Sequence, residues 1–491
     1  MGMKKRILLY AVLAVTAITG CFAAGCSLKR PASESVTETE TTTESEPETE
    51  TTEEETTESV TEPTTISEFP ETSAETEAEP PIPEEINGCQ ILIASDIHYL
   101  SRSLTDFGEG FTFHVEHGDG KLVNYIWEIT DAFIEEVIEE KPDLLVLSGD
   151  LTLNGEKQSH LEFAQKLAEI EDAGIPVIVI PGNHDINNAL AAQFAGAKAL
   201  GTEPVTPEEF AEIYRDYGYD EAVSRDSASL SYIYQIDDYN RALMLDTCQY
   251  EPYNQVGGMV RDDTYDWIEE QMEDAWELGM NVIPIGHHNL LDESEVYVED
   301  CTIEHSEQLI DQMDSWDVSL FLSGHLHVQH FMREDEDYGI YEIVTSSLAT
   351  PPCQYGVLRY GDDGSFRYHT KALDMETWAE EQGSEDKNLL NFEEYSKAFL
   401  KNVFYNQAQD EFARMENFSG LTKRQLEQMA NVYAELNAAC YAGKVVEVRD
   451  KETQKNGYKL WEENGYPSIL SQYLESIVRD GTIDYNSLES E

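Results

Sequence analysis

The chain has 491 residues, enough for two or three domains, and carries 98 Asp and Glu against 31 Lys and Arg, a formal net charge of −67. So acidic a chain argues against a nucleic-acid polymer or an anionic membrane as partner, because both demand Lys/Arg patches. Seven cysteines that never form a CxxC pair exclude a disulfide framework and a cysteine zinc site; a single bridge among Cys89, Cys248, Cys301, Cys353 and Cys440 stays open.

The first elements in the chain are not a fold. Lys4, Lys5 and Arg6 precede an uncharged, mostly apolar run from Ile7 to Gly20. That is the charge layout of a secretory signal, in a run too short to span a bilayer comfortably. It ends in Ile18-Thr19-Gly20-Cys21, which resembles the lipobox of bacterial lipoproteins, and Ala23-Ala24-Gly25-Cys26 offers a second candidate. The resemblance implies a signal peptide over residues 1–26, lipidation of Cys21 (or Cys26) and an anchor on the extracellular side of the cell membrane. Cys21 is favoured by the branched Ile18 three residues before it. An ordinary cleaved signal is the alternative. Residues 27–87 are then expected to form a disordered, Thr/Glu-rich stalk. Between Pro31 and Asn87 stand 19 glutamates and no Lys or Arg, so the segment cannot bury enough surface to offset its chain entropy. Residues 1–88 account for −14 of the charge and leave −53 on the rest. An anionic substrate must therefore be drawn in by local positive charge, which bound metal can supply.

Beyond the stalk, apolar runs alternate with helical patterns. The spacing predicts strands over Gln90–Ser95, Asp143–Ser148 and Ile175–Ile180, with helices over Leu122–Glu140 and Leu161–Ala173 between them. Leu100–Lys121 reads as an irregular insertion. Strands follow over Leu230–Ile236 and Ala242–Asp246, then helix Asp262–Leu278, strand Asn281–Ile285, helix Glu304–Asp314 and strand Val318–Leu322. Short runs through His327–Met332, Gly339–Ser346, Gly356–Tyr360 and Ser365–Lys371 read as an antiparallel continuation. The expected class is α/β, a βαβα core of two sheets packed face to face, covering residues 88–372. From about Asp374 helices dominate, over Glu393–Met415, Leu421–Tyr441 and Pro467–Arg479. Residues 373–491 are therefore expected to be a separate helical module.

Polar residues gather where the strands end. Asp96 and His98 follow the first strand, Gly149-Asp150 the second, and Gly182-Asn183-His184-Asp185 the third. Gly286-His287-His288-Asn289 and Gly324-His325-Leu326-His327 follow two later ones. Singly these motifs are weak. Together they put two acids, one amide and four histidines on one sheet edge, where open α/β sheets bind ligands. Such a group is costly to desolvate unless metal ions hold it.

In this order the five blocks resemble the signature of the calcineurin-like metallophosphoesterases, with no position missing between Ile91 and His327. The resemblance implies two metal ions. Asp96, His98, Asp150 and His327 would hold one; Asp150, Asn183, His287 and His325 would hold the other, with Asp150 as the bridge. Hard oxygens and imidazoles without thiolate suit Mn, Fe or Zn, as divalent or mixed-valence ions. The implied reaction is in-line attack of metal-bound hydroxide on phosphorus. His184 would stabilise the transition state or protonate the leaving oxygen, and Asp185 would orient His184. Leu153 stands where purple acid phosphatases require a tyrosine, which excludes their iron chemistry.

Contacts to substrate are read from the insertion, which offers His114, His117 and Lys121; His288, beside His287, either faces substrate or supports the ligands from behind. The insertion, the His287-His288-Asn289 block and the helical C-terminus together are similar to lipoprotein-type cyclic-nucleotide phosphodiesterases of Gram-positive bacteria. The expected activity is extracytoplasmic hydrolysis of a small phosphodiester, a cyclic nucleotide among the options. The alternatives are a phosphomonoesterase or nucleotidase that scavenges phosphate, and a surface-binding lipoprotein on a vestigial enzyme fold. Oligomeric state is not legible.

Overall fold

Two runs of strands, each with apolar side chains on alternate positions, set the architecture of the computed structural model, which describes residues 86–335 and 339–490. The signal segment with Cys21 and Cys26, and stalk residues 27–85, lie outside the described residues. The strands in chain order begin with β1 (Gly88–Ala94), β2 (Leu144–Leu147), β3 (Val177–Val179), β4 (Ala192–Ala195) and β5 (Lys198–Gly201). Next come β6 (Ser224–Arg225), β7 (Tyr232–Gln235), β8 (Asn240–Met244), β9 (Asn281–Ile285) and β10 (Leu320–Ser323). The last are β11 (His330–Arg333), β12 (Tyr341–Val344), β13 (Gln354–Gly361), β14 (Phe366–Ala372) and β15 (Ser487–Glu489).

One sheet runs in the order β15-β14-β13-β1-β2-β3, the other β11-β12-β10-β9-β8-β7-β6, and β4-β5 is a separate hairpin. β1, β2 and β3 pair in parallel, as do β8, β9, β10 and β12. Parallel strands need helical crossovers, and α2 (Ile126–Glu140) and α3 (Lys157–Asp172) supply them between β1, β2 and β3; α4 (Pro207–Ile213) follows the β4-β5 hairpin.

Strand periodicity explains why the second sheet is buried on both faces. Ala242, Met244, Ile283, Ile285, Leu320 and Leu322 join the core shared with β1, β2 and β3. Their neighbours Leu243, Val282 and Phe321 point the other way, against Ile268, Met272, Leu309 and Met313. Those four belong to α5 (Asp262–Leu278) and α6 (Ser306–Ser315), and the left-handed Gly279 closes α5 at φ 69°. The shared core between two sheets is the expected sandwich.

One expectation needs correction. The insertion after His98 is not irregular throughout, because it contains the helix α1 (Glu109–Glu116). Phe111 and Val115, four residues apart, supply a buried stripe, and Phe111 packs edge-on to Phe194 of the β4-β5 hairpin. The helical module packs on the sheets. It comprises α7 (Met375–Glu381), α8 (Phe392–Arg414), α9 (Lys423–Tyr441), α10 (Val445–Thr453), α11 (Asn456–Asn464) and α12 (Ile469–Asp480). Met375, Ala379, Leu389 and Phe392 pack into the catalytic core, and β15 returns to pair with β14. A capping box between Thr422 and Gln425 starts α9, whose Met429, Val432, Tyr433 and Leu436 anchor the module's own core. Among the described residues the five cysteines are free thiols.

Candidate metal centre

The residues that end β1, β2 and β10 are held in backbone conformations that L-residues avoid. Asp96, His98, Asp150, His325 and His327 have φ between 48° and 68°. Each such residue costs on the order of 1–2 kcal/mol, so the clustering of five marks a site whose geometry outweighs local preference. The intervening glycines have a steric cause. A Cβ on Gly149 would lie 2.5 Å from Nδ1 of His287, and one on Gly182 would lie 2.1 Å from Oδ1 of Asp150. Only glycine lets the second, third and fourth blocks approach this closely.

The side chains converge on Asp150. On one side, Nε2 of His98 lies 3.7 Å from its Oδ2 and 3.7 Å from Oδ1 of Asp96. Nε2 of His327 lies 3.2 Å from Oδ1 of Asp96 and 3.2 Å from Nε2 of His98. One ligand atom from each of these four residues falls within 4.8 Å of all the others. On the other side, Nε2 of His287 is 3.5 Å from Oδ1 of Asp150 and 3.1 Å from Oδ1 of Asn183. Nδ1 of His325 sits 3.3 Å from Nε2 of His287. The outer nitrogens are tied back: His287 Nδ1 to the Ser148 carbonyl at 2.9 Å, and His325 Nε2 to the Asp300 carbonyl at 2.9 Å. This leaves the facing nitrogens as acceptors, the orientation a metal ligand needs.

The donor set fits metal ions on three observations. Oδ1 of Asp96 is buried without a hydrogen-bond partner. The imidazole nitrogens of His98 and His327 face each other. Both carboxylates are buried yet anionic: burial pushes Asp150 up, but His184 and His287 hold it well below the usual range. Burial likewise raises Asp96, and His327 and then His287 bring it below its ordinary value. Burial keeps His98 and His325 neutral, the latter at about 3, which is the form that coordinates a cation. Asp96, His98, Asp150 and His327 are the residues that would hold one ion; Asp150, Asn183, His287 and His325 present a second set across the same carboxylate.

His184 stands over the first set, its ring 4.9 Å from that of His98 and its Nε2 3.8 Å from Oδ2 of Asp150. Its backbone N–H donates to Oδ1 of Asp150 at 2.7 Å. Asp185 does not orient the ring, contrary to expectation. Nδ1 of His184 meets the Leu153 carbonyl at 2.8 Å and Oδ1 of Asn154 at 3.1 Å. Asp185 turns inward, accepting from the backbone of Leu151, Thr152 and Gly182 and from the Thr152 hydroxyl. Successive residues on a tight turn point in different directions, so Asp185 binds the Asp150 and Asn183 loops together instead.

The substrate-contact expectations divide. Lys121 is almost fully buried, its Nζ 2.9 Å from Asp119, and its charge acts on both His98 and His184. His114 lies in the same field, lowered to about 4 by burial with Asp119, Lys121 and His184 acting on it, and its ring is 5.0 Å from Phe194. His117 is turned away. It is exposed, stacked on Phe113 at 4.1 Å, because residues four apart share a helix face. His288 is no substrate contact either, since Thr247 Oγ1 and the Val256 carbonyl each lie 2.8 Å from one of its ring nitrogens. Asp119 stands out in the sequence only as part of the Asp119-Gly120-Lys121 run, with no role attached, and Asn154 carries no signal there.

Residues 89–329 match the calcineurin-like phosphoesterase family, and residues 374–484 match the C-terminal domain of cyclic nucleotide phosphodiesterase. A protein named "probable cyclic nucleotide phosphodiesterase" from Synechococcus sp. is 28% identical over 135 residues, 27% of this chain and 38% of the relative. Two solved structures resemble part of this chain. A dimetal phosphatase from Danio rerio has TM-score 0.41 and 14% identity, covering 58% of this chain and 96% of that one. PhoD has TM-score 0.35 and 13% identity, covering 59% and 67%.

Proposed function

We propose that this chain, a metal-dependent phosphoester hydrolase of the calcineurin-like family, is a binuclear phosphodiesterase that acts on a small phosphodiester outside the cytoplasm. The observation that carries the two-ion reading is the Asp150 carboxylate, with His98 facing one oxygen and His287 the other. The preference for a diester is supported by the C-terminal match to a domain of cyclic nucleotide phosphodiesterase. A cyclic nucleotide is one member of that substrate class.

Mn, Fe or Zn would lower the pKa of a water and neutralise phosphoryl oxygens when bound. The chain's own residues do the rest. Asp96, Asp150 and Asn183 present oxygens, and His98, His287, His325 and His327 present nitrogens; Asp185 locks the loops of Asp150 and Asn183 together. His184 ties its Nδ1 to the Leu153 carbonyl and holds its Nε2 toward the site. Burial lowers its pKa while Asp150 and the Leu153 carbonyl raise it. On taking up a proton at Nε2 from water it stabilises the transition state or protonates the leaving oxygen. Lys121 supplies fixed positive charge for the phosphate in an otherwise acidic protein. Placement outside the cytoplasm rests on the signal-like start, with Cys21, or else Cys26, as the lipidated residue.

The chain reconstituted in turn with Mn, Fe and Zn should hydrolyse a generic aryl phosphodiester faster than the matching monoester. The reverse order of rates would point to a phosphomonoesterase. No hydrolysis of either, with metal bound, would leave a binding role. Metabolic labelling with palmitate should fail in Cys21→Ala and persist in Cys26→Ala.

A further inference from the structure

Where the helical module approaches the metal centre stands Tyr441, the last residue of α9. Three contacts fix its place. Its carbonyl accepts from the backbone N–H of Gln329 at 3.1 Å, two residues beyond His327. Its ring lies 5.0 Å from Phe404 of α8. One turn earlier on that helix, Leu400 abuts Gly120, where a Cβ would be 2.6 Å from Leu400 Cδ1. Residues four apart on a helix sit side by side, so Leu400 and Phe404 bring the Asp119-Gly120-Lys121 turn and Tyr441 together. Tyr441 is thus held beside the His327 loop by a helix pair that also packs on that turn. The charges that act on its hydroxyl include Asp119 and Asp96.

Asp119 is spoken for by Lys121. The Tyr441 hydroxyl is not: among the described residues it has no hydrogen-bond partner, while its half-buried ring packs against the module's core. A tyrosine so placed has an apolar body held by protein and a polar tip open to water, free to donate to a ligand. Cys440 beside it differs, since its thiol already meets the Tyr473 hydroxyl at 3.9 Å.

We propose that Tyr441 is a substrate-binding residue of the phosphoesterase site, its hydroxyl donating a hydrogen bond to an oxygen of the phosphodiester held beside Lys121. The helical module is then part of the active site and closes the side formed by Asp119, Lys121 and His327. This rests on the phosphodiesterase reading above.

The test uses the full chain, metal-loaded, with bis(4-nitrophenyl) phosphate. Tyr441→Phe keeps the ring against Phe404 and removes only the donor. It should raise KM about tenfold, the effect of one hydrogen bond to a charged acceptor, with kcat and metal content near wild type. An unchanged KM overturns the proposal. So does a fall in kcat with KM constant, or a drop in melting temperature that accounts for the loss. Inorganic phosphate as a competitive inhibitor gives a second measurement; equal inhibition constants in a folded wild type and Tyr441→Leu also overturn it. A wild type that hydrolyses no phosphoester sinks the parent reading, whereas an active wild type with an indifferent Tyr441→Phe sinks only this one.

Discussion

Replacing Asp150 by Asn keeps the shape of the side chain and removes the charge on which both halves of the site converge. Loss of a residue behind a ligand costs roughly 10–100-fold. Asp150→Asn should cost more than that, with metal content reduced in elemental analysis. His184→Ala should behave differently, lowering kcat by ~10²-fold or more while metal content holds, because its Nε2 faces the site without completing either set. His160 gives a prediction about stability. It is buried between Thr152, the Asp185 carbonyl and the Tyr214 hydroxyl. Burial takes it from 6.5 down to about 3. The unfolded chain then binds this proton at higher pH than the native one. The contribution is fully present above 6.5 and is lost as pH falls toward 3. Urea unfolding at neutral pH and near 4.5 should therefore show a steeper acid loss in wild type than in His160→Gln.

At the scale of elements, the site is made by strand ends, and the strands were legible because their apolar runs are long and bounded by polar turns. Helix Asp262–Leu278 and strand Asn281–Ile285 coincide with their predicted ranges. The loops were legible only as motifs. That Gly182 must be glycine follows from Asp150, 32 residues away, whose Oδ1 would be 2.1 Å from an added Cβ. Gly182→Ala should destabilise the fold by about 1–3 kcal/mol, as overpacking does, and weaken metal retention in dialysis against chelator. The short helix α1 escaped prediction because its buried residues are only Phe111 and Val115, and its partner Phe194 comes from a hairpin far along the chain.

For the whole molecule, the helical module is joined to the catalytic sheets by more than a linker. His330 of β11 pairs with Glu293 and reaches Asp480 of α12 at 2.9 Å, and Arg479 pairs with Glu295. Burial opposes the charge on His330, but Glu293 and Asp480 raise it to about 10, so this tie persists across the physiological range. Truncation after Leu373 should expose the core surface covered by Met375, Leu389 and Phe392 and unpair β14 from β15. The shortened chain should aggregate or melt well below the full one, seen by size-exclusion chromatography and thermal scanning. Recovery of a monodisperse, equally stable fragment would show the module to be dispensable for folding.

Residues at strand ends announced a metal site from the sequence, because metal chemistry demands particular atom types and the α/β pattern puts them on one edge. Composition and order were enough for Asp96, His98, Asp150, Asn183, His287, His325 and His327 to be chosen as one group. The tertiary structure alone decided where a side chain points after a tight turn. It turned Asp185 inward, His117 outward and His288 toward Thr247, and it set the carbonyl of Leu153 behind His184. It also set Tyr441, at the end of α9, against the loop that follows His327, its carbonyl accepting from Gln329. Such contacts depend on the packing of whole helices, which no local pattern encodes.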